Sequence, residues 1–149
     1  MKKVVLVGAI ALLSLASCSK EKGCTDPSSI NYSASAEEND NSCAYEGNVI
    51  FYYDQSVAST LVDEGYDDLT YYINNELVGS SSSSVYYTGT GAPSCDVQGL
   101  VKVKKSLGSV KTLNYTYSVK SNGDELWSGS VAVNANTCHS IQLTEASAN

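Results

Sequence analysis

The sequence predicts an all-β sandwich preceded by a small unit closed by a disulfide. Three observations carry this. Short runs alternate apolar and polar residues from Gly47 to Leu143, with turn residues between them. No segment reads as a helix. Four of the 5 cysteines fall as Cys24 and Cys43 around a polar stretch and as Cys95 and Cys138 within the alternating region.

The strands follow in order. Asn48–Tyr53 places Val49, Phe51 and Tyr53 on one face, and Leu69–Ile73 does the same with Leu69, Tyr71 and Ile73. Asn74-Asn75 makes a turn, and Leu77-Val78 begins the return strand. Val85–Tyr87 reads as a further short strand, and Ser80–Ser84 as a flexible link. Val101 and Val103 point opposite to Lys102 and Lys104. Leu113, Tyr115, Tyr117 and Val119 continue the pattern. Ser121-Asn122-Gly123-Asp124 is the strongest hairpin signal, because Asn-Gly accepts the positive φ of a type I′ turn. Trp127, Gly129, Val131 and Val133 then share a face, so Trp127 is expected to plug the core, and Ile141 and Leu143 close the set. The expected architecture is an antiparallel, immunoglobulin-like β-sandwich of about seven strands.

The N-terminus has a different texture. Lys2-Lys3 precede an apolar run from Val4 to about Leu15, and Leu15-Ala16-Ser17-Cys18 ends it. A basic start, an apolar middle of roughly 7–15 residues and small residues before a cut make a secretory leader. The run is shorter than the ~20 residues that span a bilayer. The implied organisation is leader 1–17, tether 18–23, disulfide-bracketed unit 24–45, β domain 46–145 and tail 146–149.

Composition excludes several classes. All 9 basic side chains are Lys, against 16 acidic ones, and 7 remain once Lys2 and Lys3 leave with the leader. With no Arg there is no bidentate reading of bases or phosphates, so no nucleic-acid partner is expected. An even set of four cysteines in an exported chain reads as disulfides. Of the three pairings, Cys24–Cys43 and Cys95–Cys138 keep each bridge within one unit. Zinc is disfavoured, since no C-x-x-C occurs and the only histidine, His139, adjoins Cys138.

Three groups are candidates for chemistry. Glu37, Glu38 and Asp40, with Asn39 and Asn41, gather hard oxygen ligands for calcium, without EF-hand spacing. Asp63, Glu64, Asp67 and Asp68 sit in what reads as a long loop, where a glycosidase pair would be poorly held. The adjacent tyrosines Tyr52-Tyr53, Tyr71-Tyr72 and Tyr86-Tyr87 each send one ring inward and one outward. Tyr52, Tyr72 and Tyr86 are therefore expected outside, where aromatic rings stack on sugars or on a protein partner. No G-x-S-x-G is present, and no enzyme is expected.

Three segments carry resemblances. Leu15-Ala16-Ser17-Cys18 resembles the lipobox of bacterial lipoproteins. This implies a diacylglyceryl group on Cys18 and cleavage before it, so that acyl chains anchor the protein in a lipid bilayer. Ser19 is not the Asp of the inner-membrane retention signal, which points to an outer-membrane protein. Lys20-Glu21 is similar to the charged surface signal of Bacteroidetes lipoproteins, so the protein is expected to face the cell surface or the periplasm. Cys24-Thr25-Asp26-Pro27, Asn31-Tyr32, Ala36, Asp40, Ser42-Cys43 and Tyr45 resemble a motif scattered through surface and secreted Bacteroidetes proteins. Ser33-Ala34, Asn39 and Asn41 depart from it. Gly47–Phe51, Val78-Gly79, Pro93–Cys95, Trp127–Val131 and Cys138 resemble the small β-sandwich domain of many lipoproteins of that group. The expected role is a membrane-anchored structural or binding accessory module. The alternatives are a glycan- or protein-binding receptor component and, more weakly, a small hydrolase.

Overall fold

The computed structural model describes residues 19–145. The leader, Cys18 and the tail 146–149 lie outside the described residues.

The N-terminal unit is held by turns and one bridge. β1 (Lys22–Gly23) pairs in parallel with β2 (Glu38–Asn39), and Cys24 is joined to Cys43 with Cα atoms 4.8 Å apart. Buried Ser29 replaces the missing apolar core. Its hydroxyl donates to the Ala44 carbonyl at 2.7 Å, while Asn31 accepts from the Ala44 N–H and donates to the Ser42 carbonyl. Asp26 ties the unit to the sandwich. Its carboxylate accepts from the Tyr45 hydroxyl at 2.8 Å and pairs with Lys111 at 2.5 Å. The lysine's ammonium, the Ser28 N–H and the Tyr45 hydroxyl hold that carboxyl far below the usual range.

Seven strands form two facing sheets. β3 (Tyr45–Tyr52) lies between β6 (Lys102–Gly108) and β9 (Cys138–Gln142). The other sheet runs β5 (Glu76–Ser82), β4 (Asp68–Ile73), β7 (Thr112–Ser121) and β8 (Asp124–Asn134). The result is the all-β sandwich that the alternation predicted. One pairing departs from the antiparallel expectation. β9 runs parallel to β3, from Asn48 opposite Cys138 to Tyr52 opposite Gln142. The chain crosses between the sheets after β8, so it re-enters in the direction of β3.

The inward faces hold Val49, Phe51 and Tyr53 against Leu69, Tyr71, Ile73, Val119 and Val133. The Phe51 ring sits 5.1 Å from Tyr71 and 5.7 Å from Tyr117, centroid to centroid. Gly47 lets β8 approach, because a Cβ there would fall 2.5 Å from Val133 Cγ1 and 2.6 Å from the Asn134 carbonyl oxygen. Both predicted turns have left-handed residues, Asn74 and Asn75 at φ 49° and 65°, and Asn122 and Gly123 at 53° and 95°. Trp127 is 2 % exposed, and its indole N–H donates to the Thr144 carbonyl at 2.9 Å.

Three expectations require correction. A helix, α1 (Gln55–Asp63), occupies the segment read as a loop. Asp54 caps it by accepting from the Val57 N–H, and Val57, Ala58 and Leu61 face the core. Gly65 ends it at φ 80°, with its N–H on the Val62 carbonyl and that of Tyr66 on the Leu61 carbonyl, a Schellman closure. Asp63 and Glu64 thus close a helix and Asp68 opens β4, which disperses the acidic group. Val85–Tyr87 is not a strand. Residues 83–101 form a long loop instead. Ser80–Ser84 is no flexible link, because Ser80–Ser82 pair in β5 and buried Ser83 donates its N–H and hydroxyl to the Asp67 carbonyl.

Candidate functional site

Residues 83–101 decide where a ligand can sit. β3 is central in its sheet, and its run Val49-Ile50-Phe51-Tyr52 is buried on both faces. The inner face meets the core. The outer face carries Ile50, 0 % exposed, and Tyr52, 9 % exposed. Both stay dry because the loop returns over this sheet. Cys95 is joined to Cys138 of β9 with Cα atoms 5.7 Å apart, and the Ser140 hydroxyl donates to the Pro93 carbonyl at 2.6 Å. The Tyr87 N–H donates to the Tyr53 carbonyl at 2.9 Å, which pins the start of the loop to the end of β3. Tyr52 was expected to stand exposed. It is buried instead, because a strapped loop covers the face that alternation assigned to solvent.

The loop does not close completely. A cleft of ≈ 430 Å³ opens between it and the sheet, lined by Tyr52, Tyr87, Asp54 and Gln142, with Gly89, Gly91 and Ala92 contributed by the loop. The rings of Tyr52 and Tyr87 meet edge to face at 5.7 Å between centroids. The Tyr52 hydroxyl donates to Gln142 Oε1 at 3.2 Å, which fixes the amide and turns its NH₂ group the other way. One oxygen of Asp54 is taken by the Val57 N–H at 3.1 Å. Gly89 packs closely on the ring beside it, since an added Cβ would come within 2.9 Å of Tyr87 Cε2 and would push the outer end of that side chain aside.

The other predicted residues lie elsewhere. Tyr72 is half-buried on the outer face of the four-stranded sheet, with Lys120 Nζ 5.5 Å above its ring. A shallow polar hollow of ≈ 380 Å³ on that sheet is lined by Asn75, Thr116, Ser118, Glu125 and Ser128. Tyr86 packs beside α1, at a hollow of ≈ 250 Å³ with Ala58 and Val62. Tyr52, Tyr72 and Tyr86 therefore share no common face. Their neighbour Tyr87 is the ring that joins Tyr52.

No protein-family model, curated protein or solved structure matches this chain.

The calcium candidates do not converge. Among the described residues no three His, Cys, Asp or Glu side chains are arranged to hold a metal ion. Glu38 pairs with Lys22 at 3.5 Å. Asp40 accepts from the Ser42 N–H at 2.9 Å, and Ser42 holds its carboxyl below the usual range. The Asn39 side chain accepts from the Asn41 N–H. The Asn39 and Asp40 oxygens close turns in the N-terminal unit, and that of Glu38 reaches across from β2 to β1. His139 is also committed, because its Nε2 accepts from the Asn134 N–H at 3.1 Å and lies 2.9 Å from the Thr137 hydroxyl.

Asp54 and Gln142 were not singled out in the sequence, and Tyr87 entered only as the partner of Tyr86, the ring expected outside. The bond between Tyr52 and Gln142 spans 90 residues, and no local pattern encodes it.

Proposed function

We propose that this chain is an exported bacterial lipoprotein, held at the outer membrane through an acylated Cys18, whose sandwich serves as a non-enzymatic accessory module facing the cell surface or the periplasm. The observation that carries this reading is the state of the cysteines. Of the 5 cysteines, Cys24 pairs with Cys43 and Cys95 with Cys138, and only Cys18 is left over. Paired cysteines of this kind belong to an oxidising compartment. The remaining one stands where the leader ends, behind Leu15-Ala16-Ser17. Among the described residues no helix is long and apolar enough to cross a membrane, and an acyl anchor at Cys18 would supply the attachment by itself.

The experiment is replacement of Cys18 by Ala, followed by membrane fractionation and labelling with a radioactive fatty acid. The wild-type chain is expected to take up label and to sediment with membranes. The variant is expected to do neither. A variant that stays fully membrane-bound after leader cleavage would overturn the anchor. A ligand-binding role is favoured over a purely structural one by the cleft that Tyr52, Tyr87, Asp54 and Gln142 line.

A further inference from the structure

We infer that the cleft under the 83–101 loop is a subsite for one neutral pyranose ring. This rests on the export reading only in that export brings the cleft to the polysaccharides outside the cell. The walls supply what a sugar ring needs and little else. A pyranose has an apolar C–H face and a rim of hydroxyls. Tyr87 is half-buried and lines the cleft, so the part of its ring that Tyr52 and Gly89 leave uncovered is the apolar surface a sugar ring would meet. Its edge-to-face contact with Tyr52 and its fit against Gly89 hold that ring in place before any ligand arrives.

The rim is matched by two polar groups of opposite sense. Gln142 has its carbonyl oxygen occupied by Tyr52, so its NH₂ group is the end available to donate to a sugar oxygen. Asp54 uses one carboxylate oxygen to cap α1 and keeps acceptor capacity on the other for a sugar hydroxyl. Gly91 and Ala92 add almost no side-chain bulk to the lining, which leaves room for a ring and for its linkage to the next one. The cleft, ≈ 430 Å³, falls in the small-ligand range of about 300–1,000 Å³. An acidic sugar is disfavoured, because Asp54 borders the cleft and the chain carries a formal charge of −7. The Cys95–Cys138 bridge and the Pro93–Ser140 bond keep the loop at the distance that defines the cleft.

The test is saturation-transfer NMR on the mature chain in a detergent that contains no sugar. The probes are the methyl glycosides of glucose, galactose, mannose and N-acetylglucosamine at millimolar concentration. At least one is expected to bind saturably and to perturb Tyr52, Tyr87 and Gln142. Tyr87→Ala should weaken it roughly tenfold, the scale of losing one aromatic stacking partner. Tyr72→Ala, on the other sheet, should leave it unchanged, and native Trp127 fluorescence confirms that both variants fold. Absence of saturable binding for all four probes overturns the inference. So does loss of binding in Tyr72→Ala with Tyr87→Ala unaffected. Neither result depends on whether Cys18 carries lipid, so this proposal and the anchor fail separately.

Discussion

Replacing Trp127 by Ala removes the largest side chain in the core, and its cost can be worked from its surroundings. The residue is 2 % exposed. A buried aromatic of this size takes about 150–250 Å² out of water. At about 25 cal/mol per Å² that is roughly 4–6 kcal/mol as an upper bound. Ala keeps its own Cβ buried, which lowers the figure. A second effect decides between the ends of the usual 3–5 kcal/mol range. The ring borders a cleft of ≈ 320 Å³ lined by Val57, Leu61 and Tyr66. The space left behind therefore joins solvent and fills with water, and no dry cavity remains. Water also reaches the Thr144 carbonyl that loses the indole N–H. The expected loss is about 3 kcal/mol, a large share of the ~5–15 kcal/mol that holds a domain together. Thermal melts of the chain from Ser19 onward, followed by far-ultraviolet circular dichroism, should show a midpoint lowered by about 10 °C. Trp127→Phe keeps most of the area and should lose about 1 kcal/mol with the hydrogen bond. A Trp127→Ala midpoint within a degree or two of wild type would refute the reasoning and return the ring to the surface.

Replacing Cys95 and Cys138 by Ser opens a 43-residue loop and should cost about 4 kcal/mol on the chain-entropy account. Limited proteolysis should then cut within residues 83–101, where the bridged chain resists. Asp26 has its folded pKa depressed, so its share of stability is complete above the unfolded Asp value of about 3.9 and fades as pH falls toward the folded one. Lys111 is raised by the same contact, so its share is complete below its unfolded value near 10.4 and is lost as pH rises through the folded one. The pair's own contribution should be flat between these limits, and melts across pH of Asp26→Asn against wild type should show the acid-side decline due to this pair removed. Asp54→Ala uncaps α1 and should lower stability by about 1 kcal/mol in urea titrations. Asp54→Asn should restore most of it.

The strands were legible because each carries its period in its own residues. Leu69, Tyr71 and Ile73 alternate, and so do Val101 and Val103 against two lysines. The Asn-rich turns were legible because left-handed backbone selects asparagine and glycine locally. The helix was written in the chain as well, with Asp54 at its start, Val57, Ala58, Leu61 and Val62 at helical spacing, and Gly65 at its end. It was missed because it is short and because Ser56, Ser59, Thr60 and Val62 are weak helix formers. The uninterrupted run Val49–Tyr53 held a second unread signal, since a half-exposed strand would have broken it with polar residues. The parallel pairing of β9 and the meeting of Tyr52, Tyr87 and Gln142 had no local signal. They follow from how the chain crosses between sheets.

The place of β9 beside β3 sets the order in which the molecule can be assembled. The hairpins β4–β5 and β7–β8 are joined by two-residue turns and can form from neighbouring residues. The three-stranded sheet cannot, because Tyr52 must wait for Gln142, 90 residues later. Closing so long a loop brings an entropy cost before any contact rewards it, and such topologies fold in milliseconds to seconds. Substitutions in β7 and β8 are therefore expected to slow refolding, and those in β9 mainly to speed unfolding. A ribosome-bound chain that has not yet released its last strand has no partner for the far edge of β3. That edge stays unpaired until β9 arrives, so the three-stranded sheet is the last part of the sandwich to close.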